Sequence, residues 1–214
     1  MKRLISLSLL SLFTFSSTAL ASFSDTAGYK WASSIDYIQS AGIVNGYDDG
    51  TFRPSQQINR AEFMKVVMEG FFDVSDSYAR DCFTDVKESD WFAKYICMGK
   101  DLGIVNGHPD GRFDPSSNVS QPEALKIIFN VLSENVVDEG GEWYQQYLDH
   151  AEKIGMYYFN VNSPAAYKLP RGEAAYFIAW LVSPDWDDQI SESDFYSNGK
   201  SPYFDFHQEE LSVD

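Results

Sequence analysis

Apolar residues recur at helical spacing in several separate stretches of the chain. In one of them Trp91, Tyr95, Met98 and Leu102 follow each other at i, i+4, i+7 and i+11. This spacing predicts a helix that carries the four side chains on one face. A glycine followed by an apolar residue ends this helix and two similar ones, as a Schellman stop prefers, at Gly42, Gly103 and Gly155.

A second helix is predicted after a polar loop in each stretch. Two of these helices open with capping-box spacing, in which a polar residue precedes a glutamate by three positions: Asn59 with Glu62, and Ser120 with Glu123. The third has Pro170 at the cap position, so its cap is lost. Apolar residues then continue at helical spacing: Phe63, Val66 and Val67; Leu125, Ile127, Ile128 and Val131; Ala174, Phe177, Ile178 and Leu181.

The first two helix–loop–helix units repeat one another over residues 23–63 and 83–125. Both contain Phe-x-Asp, a Trp, Gly-Ile-Val-Asn-Gly and Asp-Gly-x-Phe-x-Pro in the same order. The offset between the copies is 60 at the Phe, Asp and Trp and 61 from the glycine onward. We therefore expect the second copy to have gained one residue inside its first helix.

A third, eroded copy follows. Trp143 matches Trp91, Ile154-Gly155 matches Leu102-Gly103, and residues 169–174 match residues 119–124. The Asp-Gly-x-Phe-x-Pro loop is replaced by residues 160–168. One such helical pair cannot bury its apolar stripe alone, whereas three packed units can. The sequence therefore predicts a mainly α fold of three repeats, at 22–72, 82–132 and 141–182.

The two ends of the chain differ from the repeats. Residues 1–21 contain Lys2 and Arg3, an apolar run and a small-x-small site at Ala19-Leu20-Ala21, which together predict a secretory signal peptide. We therefore expect an exported protein with no membrane span after cleavage. Residues 183–214 lack helical spacing and are acidic, so we predict a disordered or loosely docked tail.

The charge of the chain excludes some partners. It has 16 Lys and Arg against 32 Asp and Glu, a formal net charge of -16. Binding to nucleic acid needs clustered positive charge, so we expect no nucleic-acid partner. No nucleophile, acid–base pair or metal-ligand spacing stands out, and we expect neither catalysis, nor a cofactor, nor a bound metal.

Cys82 and Cys97 are the two cysteines, 15 positions apart. In an exported protein such cysteines favour a disulfide, and two buried free thiols are the alternative.

The repeated motifs Phe-x-Asp, Gly-Ile-x-x-Gly-Tyr-x-Asp-Gly-x-Phe-x-Pro and Ile-x-Arg-Ala-Glu resemble the S-layer homology (SLH) domain. The resemblance covers about residues 23–182. It implies three units in a pseudo-threefold helical module, located at the cell wall or S-layer. It also implies non-covalent binding of a secondary cell-wall polysaccharide, often pyruvylated, in grooves between the units.

The resemblance also implies which residues bind the polymer. The motif arginine, expected to grip a carboxylate, corresponds to Arg60 in the first copy and Arg171 in the third, and the second copy has Gln121 there. The loop glycine corresponds to Gly46 and Gly107. The aromatic residue of the first helix, expected either in the core or on a sugar face, corresponds to Trp31, Trp91 and Trp143.

Two other functions remain open from the sequence. The protein could be a structural protein of the envelope or S-layer that binds another surface protein. It could also be an envelope glycan hydrolase whose catalytic residues the motifs do not reveal.

Overall fold

A computed structural model describes residues 22–138, 140–154 and 165–182. Six α-helices and one short 3-10 helix account for its regular structure, which confirms the mainly α class. The α-helices, in chain order, are α1 (Ala32–Ser40), α2 (Arg60–Phe71), α3 (Ala93–Asp101), α4 (Gln121–Val131), α5 (Gln145–Lys153) and α6 (Arg171–Val182). The 3-10 helix, Asp76–Tyr78, lies in the linker between the first and second units.

The predicted stops of the first helices have Schellman geometry. Gly42 and Gly103 adopt φ of 76° and 74°, values that favour glycine. After each glycine, the amide of the following isoleucine donates back into the helix, from Ile43 to the carbonyl of Ile38 at 2.9 Å and from Ile104 to that of Gly99 at 2.8 Å. Gly155 lies outside the described residues.

The second helices begin one residue after their predicted caps. The Asn59 side chain accepts from the amide of Glu62 at 2.8 Å, and the Glu62 carboxylate accepts from the amide of Asn59 at 3.1 Å. At α4, the Glu123 carboxylate accepts from the amide and the hydroxyl of Ser120, both at 2.7 Å. The motif positions 60, 121 and 171 are therefore the first residues of α2, α4 and α6.

The sequence predicts the extra residue of the second unit inside its first helix, and this is wrong. The extra residue lies before that helix. Helices α1 and α3 both contain nine residues, and their first residues are 61 positions apart. Because helix length and stop are the same, the turn before α3 accommodates the added residue. Trp31 caps α1, whereas Phe92 and Tyr144 cap α3 and α5. Trp91 and Trp143 each lie one position earlier than the cap.

The predicted apolar stripe of α3 is wrong at both ends. Tyr95 and Met98 are buried, but Trp91 is 55% exposed and Leu102 is 49% exposed. Trp91 precedes the helix, and Leu102 is its C-cap. Neither residue has a helical position that faces the core.

Short segments before the second helices join the three units in a closed ring. The amide of Ile58 donates to the carbonyl of Leu169 at 2.9 Å, and the amide of Leu169 donates to that of Val119 at 3.0 Å. The amide of Val119 donates to the carbonyl of Ile58, also at 3.0 Å, which completes the cycle. These three side chains are buried. Three equivalent segments in one cycle give the described residues their pseudo-threefold arrangement.

Helix packing follows the same cycle. Each first helix packs against the second helix of the unit before it: α3 on α2, α5 on α4, and α1 on α6. One continuous core results, and its largest fully buried side chains come from all three units, including Phe63, Phe113, Phe129 and Phe177.

The predicted disulfide is confirmed. Cys82 and Cys97 are bonded, with their Cα atoms 5.6 Å apart. Cys97 lies in α3 and is fully buried, so the bond ties the segment before the helix to the core. In the chain-entropy model, closing a loop of this length contributes about 3 kcal/mol.

Three predicted segments fall outside the described residues. These are the signal peptide at 1–21, residues 160–164 of the third unit's loop at 160–168, and the acidic tail at 183–214. The domain boundaries stay predictions. Within the described residues, each helix is too short or too polar to cross a membrane.

Candidate functional site

The first motif arginine, Arg60, lies between the first and second units. Its Nε donates to the carbonyl of Phe113 at 3.0 Å, and its guanidinium carbon lies 4.5 Å from the centroid of the Phe113 ring. Its Nη1 pairs with the Glu123 carboxylate at 3.3 Å, and the Arg60 side chain is only 10% exposed. Arg60 thus joins the start of α2 to the loop and the second helix of the next unit.

Arg171 occupies the equivalent position between the third and first units. Its Nε donates to the carbonyl of Phe52 at 2.9 Å, and its Nη1 lies 3.7 Å from the Glu62 carboxylate. The side chain is 11% exposed. Both arginines therefore repeat one pattern: a loop phenylalanine carbonyl and the capping glutamate of the neighbouring unit.

Gln121 departs from this pattern. It is 1% exposed, and its Oε1 has no hydrogen-bond partner among the described residues. The glutamate that an arginine would reach here is Glu173, which instead accepts from the hydroxyl of Tyr167 at 2.6 Å. At this junction, a hydrogen bond within the third unit takes the place of the arginine–glutamate contact between units.

The carboxylates at these positions differ in their ionisation. Burial opposes ionisation of Glu123, but the hydrogen bonds from Ser120 and the charge of Arg60 outweigh it and lower its pKa. Burial raises the pKa of Glu173 above its ordinary value, against the opposing effects of Tyr167 and Lys30. Burial also lowers the pKa of Arg60, which stays charged because an arginine starts so high.

The three tryptophans of the motif are not equivalent in space. Trp31 is 4% exposed and stacks on Tyr176 of α6, with ring centroids 4.2 Å apart, so it belongs to the core. Trp91 and Trp143 are 55% and 49% exposed. Trp143 lies beside the half-buried Tyr147, with Lys126 near both rings, and these three form an aromatic and basic patch.

The two loop glycines leave space for neighbouring groups of the protein itself. A Cβ at Gly46 would collide with the Phe23 ring and the Thr51 carbonyl, and one at Gly107 would meet the Phe83 ring and the Arg112 carbonyl. Both have positive φ, 67° and 69°. A phenylalanine ring of the same unit therefore packs closely against the backbone at each of these glycines.

Sequence reasoning missed the loop residues that contact the arginines. Tyr47 lies under two guanidiniums, with the carbon of Arg53 at 3.8 Å and that of Arg171 at 4.9 Å from its ring centroid. The repeated Asp-Gly-x-Phe-x-Pro loop was the available signal, since a phenylalanine fixed in two copies indicates a conserved contact within the fold. Within the described residues, no group of three or more His, Cys, Asp or Glu side chains is placed to hold a metal ion.

Two segments of the chain are similar to the S-layer homology domain. The sequence profile described as the S-layer homology domain matches residues 22–64 and 83–125, the first and second units. The sequence resemblance is thereby confirmed for these two units, and the third unit stays a prediction.

Several proteins are similar to a part of this chain. Cell surface glycoprotein 1 of Acetivibrio thermocellus is 30% identical over 134 residues, which make up 56% of this chain and 6% of the relative. Amylopullulanase of Thermoanaerobacterium thermosulfurigenes is 32% identical over 119 residues, 53% of this chain and 6% of the relative. Middle cell wall protein of Brevibacillus brevis is 33% identical over 98 residues, 44% of this chain and 9% of the relative.

Proposed function

We propose that residues 22–182 form a non-catalytic module that attaches to the cell wall by binding an acidic wall polysaccharide. The observation that carries this proposal is the contrast among the relatives. A surface glycoprotein, an amylopullulanase and a cell wall protein share with this chain a segment that makes up only 6 to 9% of their length. A small segment common to proteins of such different names suits a shared location better than a shared reaction.

Two relatives are named as a cell surface and a cell wall protein, and this supports a position at the cell surface for the present chain. The amylopullulanase is an enzyme by name, but it is matched over 6% of its length. We therefore assign no turnover to the shared repeats.

The module includes a third unit, residues 141–182, in this proposal. The closed cycle of hydrogen bonds through Ile58, Val119 and Leu169 supports it, since the third segment occupies the same place as the other two. Arg171 also repeats the contacts of Arg60. Three junctions between units follow, at Arg60, Gln121 and Arg171.

The chemistry of the two arginine junctions suits a carboxylate-bearing sugar. A guanidinium forms charge-assisted hydrogen bonds with a carboxylate, and a nearby aromatic ring covers the apolar face of a sugar. Because the chain is strongly acidic, long-range attraction does not favour an anionic polymer, and binding rests on local contacts. The exposed rings of Trp91 and Trp143 add contact area outside the junctions.

Sedimentation with purified walls tests the proposal. The protein is mixed with Gram-positive walls that carry a pyruvylated secondary polysaccharide, before and after acid extraction of that polymer. We expect sedimentation with intact walls and loss of it after extraction. Equal sedimentation with both would contradict a polysaccharide ligand.

Two further measurements separate the alternatives. Binding to walls only when other surface proteins are left on them would indicate an assembly role. Release of reducing sugar from the walls would indicate a hydrolase.

A further inference from the structure

We propose that the third unit binds a neutral sugar residue in a cavity between α5 and the chain before it, apart from the arginine junctions. The cavity has a volume of about 170 Å³. Its hydrogen-bonding side chains are Asn135, Gln145, Gln146, Asp149, His150 and Lys153. Because an apolar cavity of about 150 Å³ holds one benzene ring, this one has room for a single six-membered sugar ring. The choice of a sugar rests on the proposed position at the cell wall.

The face of α5 that lines the cavity is polar, whereas the same face of α3 belongs to the core. Both helices contain nine residues, and their first residues, 145 and 93, are 52 positions apart. In α3 three positions of this face are buried: Ala93, Cys97 and Met98. In α5 the corresponding positions carry polar side chains that line the cavity: Gln145, Asp149 and His150. The third unit has therefore exchanged core residues for hydrogen-bonding ones at this face.

The chain before each helix accounts for the cavity. In the second unit, the disulfide between Cys82 and Cys97 holds the preceding segment against this face of α3. Helix α5 contains no cysteine, and at the same offset Asn135 stands in the place of the buried Phe83. Asn135 is exposed and lines the cavity. The apolar cover of the second unit is therefore absent here, and its place is open to a ligand.

The polar groups of the cavity have few partners of their own. The Gln145 amide nitrogen donates to the Asp149 carboxylate at 2.7 Å, one turn further along α5, so the two side chains are already fixed relative to each other. Among the described residues, the side chains of Asn135 and Lys153 make no hydrogen bond or ion pair. Amides and a carboxylate offer donors and acceptors side by side, as the hydroxyls of a sugar require.

Charge at the cavity favours an uncharged ligand. Lys153 and Asp149 carry opposite charges, and the Glu134 carboxylate lies 3.4 Å from the His150 Nε2. The chain as a whole has a formal net charge of -16. An anionic ligand would therefore meet repulsion from nearby carboxylates. An apolar ligand does not suit the cavity either, because among its described lining residues only Val137 has an apolar side chain.

Amide NMR titrations of the full chain with three methyl glycosides test the site: the N-acetyl-β-glucosaminide, the β-glucoside and the β-glucuronide. We expect a neutral glycoside to shift the amide signals of α5 saturably, with a dissociation constant of about 1 mM, as suits a ligand of one ring. The glucuronide should bind more weakly. Binding of the N-acetyl compound alone would support the site and identify amino sugars of the wall glycan strand as its source. Equal binding of the glucoside would support it with neutral hexoses of the secondary polysaccharide as the source.

Asp149→Ala and Glu152→Ala form a matched pair of variants. Both residues are exposed on α5 and each substitution removes one carboxylate, but only Asp149 lines the cavity. Asp149→Ala should weaken binding of the neutral glycoside about tenfold or more, because hydrogen bonds to a charged group are lost. Glu152→Ala should bind within about twofold of the wild type, since it leaves the cavity intact. Alanine is favoured on an exposed helix, so the melting temperatures of both variants should not fall.

Three outcomes would overturn the inference: no binding of either neutral glycoside, tighter binding of the glucuronide than of both, or equal binding by Asp149→Ala and Glu152→Ala. Wall sedimentation judges the proposed function separately. If the wild type sediments with intact walls but binds neither neutral glycoside, the anchoring function stands and this site is wrong. If the wild type binds a neutral glycoside through Asp149 but does not sediment, the proposed function is wrong and the sugar site stands.

Discussion

Replacing Arg60 by glutamine tests whether the motif arginine stabilises the module. The substitution removes the Nε hydrogen bond to the Phe113 carbonyl, 3.0 Å long, and the pairing of Nη1 with Glu123. It leaves the Glu123 carboxylate, only 27% exposed, with Lys168 at 4.0 Å as its remaining cation. Gln121 occupies the same helix position in the second unit, so the shape of glutamine is compatible with the fold.

The expected loss follows from these contacts. A hydrogen bond to a charged group contributes about 1.5–3 kcal/mol, and the glutamine amide recovers only part of it. The ion pair adds less, because Glu123 keeps its hydrogen bonds from Ser120. We expect a net destabilisation of about 2–3 kcal/mol, which for a domain of this size lowers the melting temperature by about 4–12 °C.

Thermal unfolding followed by circular dichroism, together with urea denaturation, measures this loss. Arg112→Gln is the control, since it removes an exposed arginine whose pairing is worth about 0–1 kcal/mol. Helicity at 20 °C should be the same in both variants. If Arg60→Gln and Arg112→Gln melt at the same temperature, the buried guanidinium makes no net contribution to stability, and ligand binding alone has to explain the contacts that Arg60 and Arg171 both make.

Three other perturbations follow from the structure. Replacing Cys82 and Cys97 together by alanine should lower the free energy of unfolding by about 3 kcal/mol in urea titrations, and an unchanged midpoint would contradict this. Glu173→Gln keeps a hydrogen-bond acceptor for the Tyr167 hydroxyl. In the wild type, the raised pKa of Glu173 makes the folded state bind more protons than the unfolded state. The free energy of unfolding of the wild type therefore falls as pH rises through and above the ordinary pKa of 4.5. The variant should therefore melt higher than the wild type at pH 7, the difference should disappear below pH 4.5, and a constant difference would show that the charge is not its cause. Gly46→Ala should cost more than about 2 kcal/mol, since the added Cβ meets a ring and a carbonyl at positive φ, and a melting temperature within 2 °C of wild type would refute it.

Local features of the fold were predictable because they depend on residues close in sequence. Gly42 and Gly103 end helices through bonds that reach back a few residues, and the pair Asn59 and Glu62 spans three positions. The disulfide joins residues 15 apart within one unit. In each case the spacing of the residues in the sequence is sufficient to predict the contact.

The contacts of the arginines could not be predicted in this way. Arg60 reaches Phe113 across 53 positions, and Arg171 reaches Phe52 across 119. The repeat pattern indicates that such residues are equivalent, but it does not indicate which neighbouring unit each one faces. The resemblance to a binding motif therefore suggested open grooves, whereas these guanidiniums are mostly buried and already hydrogen-bonded.

The tryptophans show a limit of matching by residue type. Trp31, Trp91 and Trp143 align by identity, but the shift of one position at the second and third helices places the latter two outside the core. The change in offset from 60 to 61 was visible in the sequence. Its position in the turn before the helix was not, since helix boundaries are the least certain part of a pattern-based prediction.

The cyclic hydrogen bonds among Ile58, Val119 and Leu169 prevent the addition of further units at the ends of the module. In an open solenoid, each repeat offers its free side to the next, and units can be added at either end. Here the side of the first unit that would receive an earlier neighbour is already occupied by the last unit. A further unit could be inserted only by breaking this closure. Duplication of the module in a longer chain should therefore give separate trimeric rings of units, joined by linkers, instead of one extended superhelix.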